Sequence, residues 1–218
     1  MGSITRSFAN NITTSGVLLP ASLTNNSIAN VTSYNAAVAT GNMVLISSQT
    51  ASASASISFT TGINSTYKEY QFWFVNMHPA TANINFQFNG STDGGSNYNV
   101  TKTTTMFHAR HYEDDSSTDL AYRDGNDLAQ STAFQDLTIG TNTNNDDNTC
   151  GVLTLFNPSS TTYVKHFIAT TNSASSNPFS YNAYVAGYFN TTSAVNAIQF
   201  KHSSGNTDDG TILMYGIV

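Results

Sequence analysis

Along Asn83–Phe88 the chain alternates without a fault: Ile84, Phe86 and Phe88 fall on one side of an extended backbone, and Asn83, Asn85 and Gln87 on the other. A period of two marks a strand with one dry face and one wet face. Segments of this size recur from Met43 onward. Met43–Gln49 is a short apolar run. Ser52–Phe59 sets Ala53, Ala55, Ile57 and Phe59 against four serines, which predicts a half-buried strand. Tyr70–Met77 is apolar at both parities, which predicts a strand covered on two sides. Further strands are expected at Thr101–His111, Gly151–Phe156, Tyr163–Thr170, Phe179–Phe189, Ala197–Lys201 and Thr211–Ile217. The turn Ser91–Asn97 carries Gly94 and Gly95, which supply the positive φ of a tight reversal. Pro79, Pro158 and Pro178 are placed just outside strands, where a missing N–H costs nothing. Asp127–Phe134 is the one stretch with a helix-like period.

Composition argues the same way. Ser, Thr and Asn make up about 39% of the 218 residues, and Leu, Glu and Lys are scarce. Such a chain is poor in helix formers and rich in turn and strand formers. About ten short strands with no internal repeat predict an all-β fold, a jelly-roll-like antiparallel β-sandwich. Residues 1–42 differ. They scatter Phe8, Ile12, Val17, Leu18, Leu19, Ile28 and Val31 among Asn, Thr and Ser without a sustained period. The expected organisation is an extended N-terminal arm over 1–42 and a sandwich domain over 43–218.

Charge excludes several functions. Lys and Arg number 7 against 13 Asp and Glu, which gives no general grip on phosphate, so nucleic acid is not an expected partner. No apolar run is long enough to cross a membrane as a helix. The Val17–Leu19 patch is too brief for a signal-peptide core, so synthesis in the cytoplasm is expected. A single cysteine, Cys150, rules out an internal disulfide; at the start of an apolar strand it is expected to be buried and inert.

Catalytic patterns are thin. Glu113, Asp114, Asp115, Asp119, Asp124 and Asp127 crowd one segment, where two carboxylates could in principle hydrolyse a glycoside. A solvated loop is the simpler reading. His108 and His111 stand three apart, so on a strand they face opposite ways and do not share a metal. Asn144–Asn148 and Asp208–Gly210 offer oxygen ligands without the spacing of a calcium loop, which reads as polar turns and leaves open a site assembled across both. No nucleophile elbow, phosphate loop or zinc pattern is present. The chain is therefore read as a non-enzyme with no cofactor and no metal. Tyr98, Tyr112 and Tyr122, with Arg123 beside the last, are candidate sugar-contacting loop residues.

Several stretches carry a resemblance: FTTGINSTYKEYQFWFVNMHPAT, NFQFNGSTDGGSNYNVT, LFNPSSTTYVKHF, NTTSAVNAIQFKHSSGN and the closing GTILMYGIV, with TRSFANNITTSGV near the start. Together they resemble virion structural proteins of tailed bacteriophages that infect aquatic bacteria and cyanobacteria, of the capsid-decoration or tail-fibre-like type. The resemblance implies a particle protein without a defined active site. Within it the expected role is a capsid decoration (cement) protein, a homotrimer on the outer head surface that binds the major capsid protein. The arm residues Phe8, Val17, Leu18, Leu19 and Ile28 would be its clamp. The alternative is a tail-fibre or receptor-binding component that recognises host surface glycans through Tyr112, Tyr122 and Arg123.

Overall fold

A computed structural model describes residues 42–174 and 178–218, and in them twelve strands form two antiparallel sheets. The strands are β1 (Met43–Thr50), β2 (Ile57–Phe59), β3 (Glu69–Pro79), β4 (Ile84–Ser91), β5 (Lys102–Tyr112) and β6 (Thr118–Tyr122). They continue as β7 (Gln135–Thr141), β8 (Thr149–Phe156), β9 (Lys165–Ala174), β10 (Phe179–Phe189), β11 (Ala197–His202) and β12 (Thr207–Ile217). One sheet has eight strands in the order β1-β12-β3-β8-β9-β10-β5-β6, and the other has four in the order β2-β11-β4-β7. The sandwich expected from the period-two pattern is what forms. The described residues belong to the unit Gly41–Val218. The arm residues Phe8, Val17, Leu18, Leu19 and Ile28 lie outside them.

The two inner faces meet through aromatic rings. Phe200 of β11 lies within ring-contact distance of Phe59, Phe72, Phe74, Phe86 and Phe88, at centroid separations of 6.2, 5.3, 5.1, 6.0 and 6.3 Å. Edge-on and offset contacts of this kind add to the apolar area that each ring buries. Close packing also fixes Gly187 on β10: a Cβ there would stand 2.6 Å from the Thr103 carbonyl oxygen and 2.9 Å from Phe167 Cζ.

Four expectations are corrected. Strand β2 covers only Ile57–Phe59. Upstream, Ala53 and Ala55 are exposed and Ala53 sits at φ 49°, because alanine buries too little surface to hold an edge in register. The β3 strand is covered on one side only: Tyr70, Phe72, Phe74 and Met77 are buried, while Trp73 and Val75 are 41% and 40% exposed. Asp127–Phe134 is irregular rather than helical, because its backbone is tied to β5. Leu128 N–H donates to the Thr104 hydroxyl at 2.8 Å, and Ser131 and Lys102 exchange backbone bonds at 2.9 and 3.0 Å. Pro79 is the last residue of β3 rather than outside it. Two strands had no sequence signal, β6 inside the acidic segment and β7 after it.

Two lysines point into the sandwich. Lys102 Nζ donates to the Val100 and Ala133 carbonyls, at 3.1 and 2.5 Å, and lies 5.8 Å from the Phe189 ring centroid. Burial pushes its pKa down to about 7. Lys165 Nζ donates to the Tyr163 and Thr191 carbonyls at 2.8 and 3.0 Å, and burial lowers its pKa as well.

Candidate functional site

The first candidate is the outer face of the eight-stranded sheet. Partners directly opposite across a ladder share a face. The row Ser48–Leu213–Trp73–Val152–Thr170–Tyr184–Phe107–Tyr122 therefore crosses all eight strands on the outer side. Phe107 and Tyr184 stack with centroids 4.8 Å apart and planes 11° from parallel. Trp73 meets Tyr215 edge-on at 5.8 Å. Its indole N–H donates to Gln71 Oε1 at 2.9 Å, and Gln71 Nε2 donates in turn to Glu69 Oε1 at 2.9 Å. Ile168 is 54% exposed at the middle of the sheet. It borders a hollow of about 430 Å³ over Gly187, beside Thr105 and Tyr188. Lys102, Arg110 and Lys165 are the Lys and Arg residues of these eight strands. All three sit at inward positions of their ladders, so no Lys or Arg side chain leaves the outer face. The acidic Glu69, Asp208 and Asp209 sit towards strand ends.

The second candidate is a polar pocket of about 290 Å³ between the sheets, where β5 and β10 face β4 and β7. Even-numbered residues of β5 point inward, so His108 and Arg110 enter it, and the pairing of Arg110 with Asp119 turns Asp119 the same way. His108 Nε2 lies 3.0 Å from Asp119 Oδ2, and His108 Nδ1 lies 3.1 Å from the Tyr181 hydroxyl. A ring protonated at Nε2 donates to the carboxylate and accepts from the tyrosine. Arg110 Nε is 3.3 Å from Asp119 Oδ2, an ion pair whose angle makes no hydrogen bond, so this buried N–H has no acceptor. The bond from His108, and then the charge of Arg110, hold the Asp119 carboxyl below its ordinary pKa. Burial pushes the Tyr181 hydroxyl up to about 12. Asp136, on the β7 side, is saturated by amides from Asn85, Gln87 and Asn126 at 3.0, 2.7 and 2.7 Å.

The residues singled out from the sequence do not form one platform. Tyr112 packs inward, edge-on to Phe179 at 5.1 Å. Tyr122 points outward, is 54% exposed and donates to Asp127 Oδ2 at 2.5 Å. Arg123 lines the polar pocket. Tyr98 places its hydroxyl where it is buried without a partner. The six clustered carboxylates also separate: Asp119 turns to His108 and Arg110, Asp115 pairs with exposed His111 at 3.0 Å, and Asp114 accepts from Ser116 N–H at 3.0 Å. His108 and His111 face opposite ways, as their spacing requires.

Asp147, Asp208 and Asp209 do share a hollow with Asn76 and His78. Among the described residues no three His, Cys, Asp or Glu side chains are grouped to hold a metal. Cys150 is half-buried rather than enclosed, and its Sγ accepts from Asn76 N–H at 3.3 Å. Sequence reasoning missed the outer face because it took Tyr70–Met77 as covered on two sides, and missed the polar pocket because its residues come from separate segments of the chain. Comparison with protein-family models, with curated proteins and with solved structures finds no match for this chain.

Proposed function

We propose that the protein is a structural component of a bacteriophage virion, a capsid decoration protein. It assembles as a trimer on the outer head surface and docks the outer face of its eight-stranded sheet on the major capsid protein. The observation that carries this reading is the row Leu213–Trp73–Val152–Thr170–Tyr184–Phe107–Tyr122, apolar or aromatic at every position but Thr170, with Trp73, Tyr184, Phe107 and Tyr122 exposed, and free of Lys and Arg. Antiparallel sheets that face water alternate apolar inside with polar outside. A sheet whose outer row is aromatic is built to be covered, and contiguous apolar patches of this kind mark interaction sites. Eight strands about 4.8 Å apart span roughly 34 Å, so a footprint some 25 Å deep reaches about 800 Å², one side of a standard protein interface. Scarcity of charge favours a protein surface over a phosphate-rich or membrane partner. A ligand that binds only the assembled lattice stabilises it by mass action, so no catalytic chemistry is needed.

The test is the copy number per purified virion, by quantitative mass spectrometry against the major capsid protein, with Ile168→Asp as the paired variant. Hundreds of copies, and a folded variant that no longer attaches, are expected. A few tens of copies or fewer would overturn decoration and bring forward the receptor-binding reading. Full attachment of the variant would remove the outer face as the docking surface.

A further inference from the structure

We infer that the polar pocket between the sheets is a binding site for one carboxylate-bearing sugar residue, a uronic acid, with Arg123 and Arg110 holding the carboxylate and Asn83 and Asn126 addressing ring hydroxyls. The inference is independent of what the outer face docks on.

Three features point to such a ligand. The first is unspent donor capacity. No hydrogen bond or ion pair engages the Arg123 guanidinium among the described residues. Its backbone is nevertheless pinned: its N–H donates to Met106 O at 2.9 Å, and its carbonyl accepts from Asn126 and Asp127 N–H at 3.0 and 3.2 Å. A fixed backbone under an unpartnered guanidinium pre-orders a planar fork, the geometry that meets a carboxylate through two parallel bonds. Arg110 adds a second guanidinium, steadied by Asp119 and lying 5.6 and 5.7 Å from the Tyr112 and Phe179 ring centroids.

The second feature is that the carboxylates beside the pocket are already engaged by its lining residues. Asp136 accepts three amides, and one oxygen of Asp119 serves both His108 and Arg110. What faces the ligand is therefore directed N–H donors rather than a strong net field. That balance selects a ligand that also offers hydroxyls, not a bare multivalent anion.

The third is size and lining. The cavity of about 290 Å³ matches a single sugar ring, not an oligosaccharide or a drug-sized ligand. The Asn83 side chain has no partner among the described residues, and its backbone at φ 58° aims it from the turn before β4. Asparagine tolerates that left-handed conformation better than other non-glycine residues. Phe179 and Tyr181 supply an aromatic wall of the kind that accepts a sugar's C–H face.

The test uses the full chain and measures binding of glucuronate and galacturonate by chemical-shift perturbation and calorimetry, with glucose as the neutral counterpart and acetate as the bare carboxylate. The expected result is saturable millimolar binding of at least one uronate, with glucose and acetate at least about tenfold weaker. Arg123→Gln should weaken the uronate by about tenfold or more and leave the melting temperature close to wild type, because its guanidinium makes no hydrogen bond or close ion pair among the described residues and acts on Asp119 and Tyr181 only through longer-range charge. Asn83→Gly, which keeps the left-handed turn and deletes the amide, supplies a second variant with an undisturbed fold. Equal binding of glucose and uronate, undiminished uronate binding by Arg123→Gln, or no binding of either uronate would each overturn the inference. Loss of the outer-face docking role would leave these outcomes unchanged.

Discussion

His108 of β5 and Asp119 of β6 meet at 3.0 Å, two residues along the ladder from the register that places Asp119 opposite Arg110. The diagonal contact lets one carboxylate oxygen serve the His108 ring and the Arg110 guanidinium together. It also ties the short edge strand β6 to the sheet by side chains as well as backbone. Asp119→Asn should lower the melting temperature at neutral pH. The sign follows from the carboxyl being held below its ordinary pKa, with the His108 bond the largest cause. Its contribution is present above the ordinary carboxylate value and is lost as pH falls through the lowered one. The gap between wild type and variant should therefore close in acid; thermal melts from pH 7 to pH 3 that stayed parallel would contradict this.

Lys102 makes stability rise with pH as well, but in an alkaline window. The folded protein lowers its pKa to about 7 from an ordinary 10.5, through burial. Between those values the unfolded chain binds more protons than the folded one, so this residue makes stability rise with pH across that window. Below the lower value both states are charged, and the burial cost is carried in full. Lys102→Met leaves two carbonyls without their donor and so shifts stability by a constant, but it removes the slope. Urea unfolding at pH 7, 8.5 and 10 should give a wild-type advantage that grows by up to a few kcal/mol relative to the variant. A pH-independent difference would show that Lys102 keeps its charge in the fold.

The sequence announced both of these only in part. The alternation Ile84, Phe86, Phe88 named a dry face, and all three are buried; Phe179–Phe189 was bounded at the same residues as β10. Those segments were legible because each apolar side chain is large enough to force its own orientation. Strand β6 was not, because Thr118–Tyr122 carries Asp119 within an acidic run, and only the ladder to β5 reveals which way that carboxylate faces. Trp73 and Val75 misled in the reverse sense. Apolar residues at both parities read as a strand covered twice, whereas the second side is solvent in this chain. The polar pocket joins residues from five separate segments, Asn83, His108, Arg123, Gly140 and Tyr181 among them. No spacing along the chain could have assembled it.

His202, at the end of β11, provides an acid-side counterpart to Lys102. Its Nδ1 lies 2.9 Å from the Thr207 hydroxyl, and its Nε2 is buried without a partner. Burial, with a smaller push from His78, lowers its pKa to about 4. The unfolded chain thus holds more protons between that value and the ordinary 6.5, so stability falls as pH drops through this range. The full effect is on the order of 3 kcal/mol. His202→Leu should flatten that decline, and melts at pH 7, 5.5 and 4.5 compare the two. An equally steep loss in the variant would assign the acid sensitivity to other groups.

Phe200 tests whether the core is one packed cluster or two sheets loosely apposed. It is fully buried and touches aromatic rings from three other strands: Phe59 of β2, Phe72 and Phe74 of β3, and Phe86 and Phe88 of β4. Since β3 belongs to the large sheet and β2 and β4 to the small one, truncation opens a cavity that neither sheet can close alone. Phe200→Ala should cost about 3–5 kcal/mol, the range for a buried ring whose surroundings relax only partly. Phe200→Leu, which restores most of the volume, should recover the larger part of that loss. Urea titration at neutral pH measures both, with the unchanged slope of the transition showing that the fold is retained. A loss below about 1 kcal/mol for Phe200→Ala would mean that the rings re-form contacts around the gap and that the sheets are not locked together at this point.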